Sequence, residues 1–240
     1  MSRLQEIWNY LVDLGYDEEG LISNAHTTVG LSMQIAEYAH RGVKRENGDD
    51  YVNHPYRCLH IYREFVGIIP NDYNCIDVDL MYEYNIPYDG VQELCLLHDV
   101  VEDSDFSVDE VGEIFNECEL GQYYDLYIRK PLELITHDKN DDYEEYILKC
   151  SKHPSSALVK MIDMQDNVNA FTLAYYDKDK YERSFKYFKY IFLINKVFEF
   201  IENVNKYKKA FNKMWITCYN EINHKEKVRD KLYDPSATYP

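Results

Sequence analysis

The segment VQELCLLHDVVED at 91–103 runs thirteen residues without a glycine or proline, with Leu94, Leu97 and Val101 at three- and four-residue intervals. That spacing puts the apolar side chains on one face of a helix and fits no strand. The same period recurs at Leu4, Ile7, Trp8 and Leu11. It returns over 181–208 in Phe185, Phe188, Ile191, Phe192, Ile194, Phe198, Ile201 and Val204. Only 9 glycines and 7 prolines punctuate 240 residues, which favours long helices over a turn-rich sheet. With no β alternation and no internal repeat, the chain is expected to be all-α. Hydrophobic residues make up 45% and aromatics 15%, including 24 tyrosines, so a packed core is expected.

The punctuation predicts helices over 2–14 and 25–41, the second ending near Gly42. Pro55 is expected to open a helix through HPYRCLHIYREFV, which Gly67 and Pro70 then break. Residues 66–88 read as a loop with a short helix around 76–84. Ser107-Val108-Asp109-Glu110 matches a capping box introducing a helix to about 118. Pro131 opens a segment containing LELIT, DDYEEYILKCS forms a separate helix, and Pro154 starts ALVKMIDMQDNVNAF. Residues 181–208 predict a long packing helix against the rest of the domain or a second copy of the chain in a homo-oligomer. A single domain over 1–224 with a tail over 225–240 is therefore expected.

A net charge of −17 disfavours a duplex-binding surface, because phosphate backbones reward positive fields. It leaves room for a small phosphorylated substrate, since a bound cation can invert the local potential. The six cysteines at 58, 75, 95, 118, 150 and 218 contain no CxxC, and several lie in apolar stretches. Buried thiols in a reducing compartment are the expectation. The opening MSRLQEIWNYLVDLGYDEEG carries neither a long apolar segment nor a small-residue cleavage site, which predicts no membrane partner and a cytoplasmic protein.

Positions four apart share a helix face, so His98 would align with Glu102 and Asp99 with Asp103. Imidazole and carboxylate suit transition ions, and adjacent His98 and Asp99 could approach one cation from a helix edge. Two ligands are too few. His54 in NHP and Asp163 in VKMIDMQDN are attractive additions, but spacing alone leaves the set open. Lys160, three residues before Asp163, offers that carboxylate a structural ion pair instead.

Residues 36–55, AEYAHRGVKRENGDDYVNHP, resemble the opening signature of the HD hydrolase domain in RelA/SpoT-type guanosine tetra- and pentaphosphate hydrolases. LLHDVVEDS and VKMIDMQDN resemble its two later signatures, in the same order. The resemblance covers roughly 31–170 and implies an HD-type helical bundle. It also implies one divalent ion, usually manganese, held by His54, His98, Asp99 and Asp163. Glu102 and Asp103 match the catalytic pair, Glu102 principally placing the attacking water. Arg45 matches an arginine at the nucleotide base and Asn167 a pocket asparagine near the ribose, and Lys44 could contact phosphate. The implied reaction removes the 3′-pyrophosphate of guanosine tetra- or pentaphosphate, with no opposing synthetase.

The chain departs from the family pattern in three places. The interval between His54 and His98 is longer, Met164 follows Asp163 where an arginine is usual, and VKR stands for a glutamine-containing QxR. Two other functions use the same residues: phosphate removal from another nucleotide or dinucleotide cofactor, and nucleotide sensing without turnover. His40 is expected at a helix end beside the site, His137-Asp138 at most at the pocket edge, and His153 as a helix cap or surface residue.

Overall fold

The computed structural model describes residues 1–45, 48–65, 89–138 and 140–170. The expected short helix at 76–84, the packing helix over 181–208 and the tail after 224 lie outside these residues. Within them the fold is all-α, apart from a single antiparallel bridge between Lys44 and Asp50. The helices are α1 (Arg3–Asp13), α2 (Glu18–Ala25), α3 (Thr28–Ala39), α4 (Asn53–Phe65), α5 (Val91–Leu97) and α6 (Val100–Asp103). They continue with α7 (Val108–Glu117), α8 (Gly121–Tyr123), α9 (Arg129–Ile135), α10 (Tyr143–Cys150) and α11 (Pro154–Ala170).

The ends form where side chains satisfy free backbone donors. Ser2 accepts from the Gln5 amide to start α1, and Asp17 accepts from Gly20 to start α2. Ser107 and Glu110 complete the expected capping box at α7. His153 acts as the expected cap, its Nδ1 accepting from the Ser155 amide at 3.2 Å.

α5 occupies the centre and packs against α3, α4 and α11. Val91, Leu94, Cys95, Leu96 and Leu97 are all fully buried there, which accounts for an almost continuously apolar segment. Leu4, Ile7 and Leu11 of α1 join the same core and close on α3. The expected buried thiols are present at Cys58, Cys95, Cys118 and Cys150, all free.

Three local features differ from expectation. The helix over 91–103 is interrupted at His98 and Asp99: α5 stops at Leu97 and a single turn, α6, resumes at Val100. There the His98 ring bonds back to the Cys95 carbonyl at 2.9 Å, and Asp99 is drawn toward Tyr51. α4 begins two residues before Pro55, which is tolerated because first-turn amides need no intrahelical partner. Pro131 lies inside a helical run rather than opening one. Lacking an N–H, it cannot bond the Tyr127 carbonyl in the α pattern, and a π-helical turn at Tyr124–Ile128 precedes it. Gly90 sits against that carbonyl with φ 78°, and a side chain there would strike Tyr127.

Candidate functional site

The first turn of α4, the α5–α6 break and the middle of α11 meet in one buried place. His54 Nε2 stands 3.3 Å from His98 Nε2, 3.5 Å from Asp99 Oδ2 and 3.1 Å from Asp163 Oδ1. His98 Nε2 stands 3.2 Å from Asp99 Oδ2 and 4.0 Å from Asp163 Oδ1. The four side chains singled out in the sequence therefore converge. Both imidazoles are 1% exposed and Asp163 4%.

Neighbours fix each group. The Tyr51 hydroxyl donates to Asp99 Oδ2 at 2.8 Å. Lys160 Nζ donates to Asp163 Oδ2 at 2.7 Å and Asn167 Nδ2 to Oδ1 at 2.6 Å. Thus the Lys160–Asp163 ion pair and the convergence of Asp163 on the histidines coexist, one at each carboxylate oxygen. Asp166, buried one turn further along α11, receives His54 Nδ1 at 2.7 Å.

The electrostatics favour a positive occupant. Burial alone would lower the pKa of both imidazoles, yet both are raised. At His98 the chief raising group is Asp99; at His54, where the Cys58 thiol is neutral at neutral pH, the raising groups are the Asp163, Asp166 and Asp99 carboxylates. Burial alone would raise Asp99 and Asp163, yet both are lowered, by the histidines and by Lys160 respectively. Carboxylates that keep their charge and imidazoles that hold extra protons make a cluster in which a cation can replace those protons.

Ligand atoms around a small divalent ion lie about 3.0–3.4 Å apart for octahedral to tetrahedral sets. Three of the five separations, 3.1, 3.2 and 3.3 Å, fall in that range, a fourth lies just outside it at 3.5 Å, and the fifth is 4.0 Å. His54, Cys58 and His98 also present possible ligand atoms within 4.8 Å of one another. However, the Cys58 sulfur lies 3.8 Å from His54 Nδ1, the nitrogen Asp166 already engages. Burial also pushes the Cys58 thiol up to about 11, so it stays protonated at neutral pH. Two imidazoles with Asp99 and Asp163 are the better donor set.

The other expected residues divide. Arg45 and Asn167 come together, Arg45 Nη2 donating to Asn167 Oδ1 at 2.9 Å beside the cluster. Lys44 points elsewhere: its ammonium is held by Asp50 at 2.5 Å on the exposed bridge. Glu102 accepts from the His137 amide at 3.2 Å, and its Oε1 lies 3.8 Å from His137 Nδ1. Burial, then Asp99, raises the Glu102 pKa. Asp103 is exposed and interacts with Tyr51. His137 thus lies against Glu102, whereas Asp138 caps a turn at Asn140. His40 ends α3, stacks on Tyr51 at 4.8 Å and has no partner at either nitrogen; burial lowers its pKa to about 4, which keeps it neutral.

Tyr51, Arg57 and Asp166 were not anticipated. Arg57 stands three residues after His54 in α4 and Asp166 three after Asp163 in α11, so helical spacing around the quoted motifs was the available signal for these two, whereas Tyr51 lies in the turn before α4.

No family model and no curated protein matches this chain. Among solved structures, a metazoan ortholog of SpoT, reported to hydrolyze ppGpp and to play a role in starvation responses, is similar over 80% of this chain and 95% of its own. The two are 21% identical and align with a TM-score of 0.49. That likeness fixes neither a family nor a substrate.

Proposed function

We propose that the chain is a metal-dependent phosphohydrolase in which His54, His98, Asp99 and Asp163 hold one divalent cation, with Mn2+ the expected ion. The observation that carries this reading is the convergence of those four groups at separations of 3.1 to 4.0 Å in a buried site. A mixed imidazole and carboxylate set suits a transition ion. When bound, the cation would neutralise phosphate charge and make a nearby water more acidic.

The chain's own residues supply the rest. Glu102, whose pKa is raised by burial and by Asp99, orients the attacking water and accepts its proton. Asp103, held by Tyr51, orients the same water or shares the proton. Arg45 and Asn167 line the approach to the cluster and contact the nucleotide, whereas Lys44 reaches phosphate only if Asp50 releases it. The substrate is a small phosphorylated nucleotide, most concretely guanosine tetra- or pentaphosphate. Water oxygen bonds to phosphorus, the bond from phosphorus to the 3′-oxygen breaks, and the 3′-hydroxyl takes a proton as pyrophosphate forms. Among the described residues no helix is long and apolar enough to cross a membrane.

The test is a panel of nucleotides incubated with Mn2+ and followed by mass analysis of products. Pyrophosphate release from guanosine tetraphosphate is expected, and Glu102→Gln should reduce turnover about a hundred- to ten-thousandfold while keeping ion affinity. Orthophosphate from another nucleotide would replace the substrate. Ion and nucleotide binding with no product from any candidate would make the chain a sensor instead.

A further inference from the structure

The two imidazoles of the cluster are aimed by different means. His98 Nδ1 faces the Cys95 backbone carbonyl at 2.9 Å. A carbonyl accepts only, so Nδ1 carries the hydrogen and Nε2 turns toward the cluster. No substitution removes that carbonyl. His54 has a side chain in the equivalent place: Asp166 Oδ2, 2.7 Å from Nδ1.

Asp166 is itself elaborately held. Arg57 reaches both of its oxygens, Nε to Oδ1 at 2.7 Å and Nη2 to Oδ2 at 3.0 Å. Arg45 Nη1 lies 3.6 Å from Oδ2. The carboxylate is only 2% exposed, and a buried charge persists only when paired in this way. An ionised carboxylate can only accept, so it demands a hydrogen on His54 Nδ1 and leaves Nε2 free to face His98, Asp99 and Asp163.

We infer that Asp166 is a positioning residue: it sets the His54 ring and tautomer for the cation, with Arg57 holding the carboxylate in place. This rests on the ion-site reading above. Groups that hold the far nitrogen of a metal-binding histidine typically change ion affinity ten- to a hundredfold when removed. Because Arg45 touches both Asp166 and Asn167, the same carboxylate also joins the nucleotide-facing arginine to the ion site.

The competing explanation is that Asp166 only pairs with Arg57 to fasten α4 to α11. Calorimetric titration of the full chain with Mn2+ separates the two. Asp166→Ala should weaken binding about ten- to a hundredfold. Arg57→Met, which breaks the ion pair but leaves the imidazole contact, should weaken binding clearly less than Asp166→Ala does, because its effect on the ring is indirect. Circular dichroism checks that each variant is folded, and Asp166→Asn, which preserves volume, serves the same comparison if the alanine variant does not fold. Unchanged affinity in the Asp166 variant, or equal losses in both variants, overturns the assignment and leaves the ion site standing. A wild-type chain that binds no divalent ion overturns both.

Discussion

The α1–α3 interface and the α4–α11 interface are about equally buried and chemically opposite. Between α1 and α3 the interior is aliphatic, with Ile7, Leu11, Leu31 and Ile35 at most 1% exposed. Its main polar intrusion, Gln34, is fully used: Trp8 Nε1 donates to its oxygen at 2.8 Å, and its amide donates to the Leu21 carbonyl at 2.8 Å. Between α4 and α11 the same depth holds His54, Lys160, Asp163 and Asp166. Burying hydrocarbon stabilises at roughly 25 cal/mol per Å². Burying paired charges at best breaks even against hydrophobic residues of similar volume. Stability accounts for the first interface and not for the second, whose composition calls for a chemical task.

The contrast can be broken most severely at Asp163. Removing its carboxylate strands Lys160 without its buried partner, so Asp163→Ala should lose about 3–5 kcal/mol of stability in chemical denaturation. Mn2+ at a hundred times its Kd should add about 2.7 kcal/mol to wild type and nothing to this variant. Leu31→Ala sharpens the other side: it should lose about 2–5 kcal/mol through the cavity it opens, while the folded protein keeps its full response to Mn2+. A lost response in Leu31→Ala would mean that the two interfaces are one cooperative device.

The smallest effect concerns Glu93, a buried carboxyl on α5 that accepts a hydrogen bond from Thr28. Burial raises its pKa in the folded state, so its protonated form favours folding. That contribution is full below the unfolded-state pKa and is lost as pH rises through the higher folded value. Glu93→Gln should therefore gain on wild type in melting temperature between acid and neutral pH. A constant difference across that range would remove the titration from the account.

What was legible in the chain was what local rules control. Periodicity placed α1, and a serine with a glutamate three residues on placed α7, because each signal acts within a turn or two. α2 escaped because eight residues with one Asp17 cap and a glycine in the first turn carry a weak pattern. The convergence of His54, His98, Asp99 and Asp163 was anticipated only through motif resemblance, since spacing alone left the set open. Its supports were less so: the Asp166 contacts reach 112 and 109 residues back to His54 and Arg57. Lys44 and Arg45 look interchangeable in sequence, yet the Lys44–Asp50 bridge sends Lys44 outward while Arg45 turns to Asn167. The break at His98 and Asp99 was likewise invisible: no glycine or proline marks it, and the Tyr51 hydroxyl that meets Asp99 there comes from 48 residues away.

Gly90 extends the reach of the centre beyond its own lining. It begins the helix that delivers His98 eight residues later, about 12 Å along the axis, and it is wedged against the Tyr127 carbonyl. A methyl group there would act as a shim under one end of a lever, tilting α5 so that the displacement arrives at the imidazole. An inherited change at this bland position could therefore silence the centre while every residue that lines it stays intact.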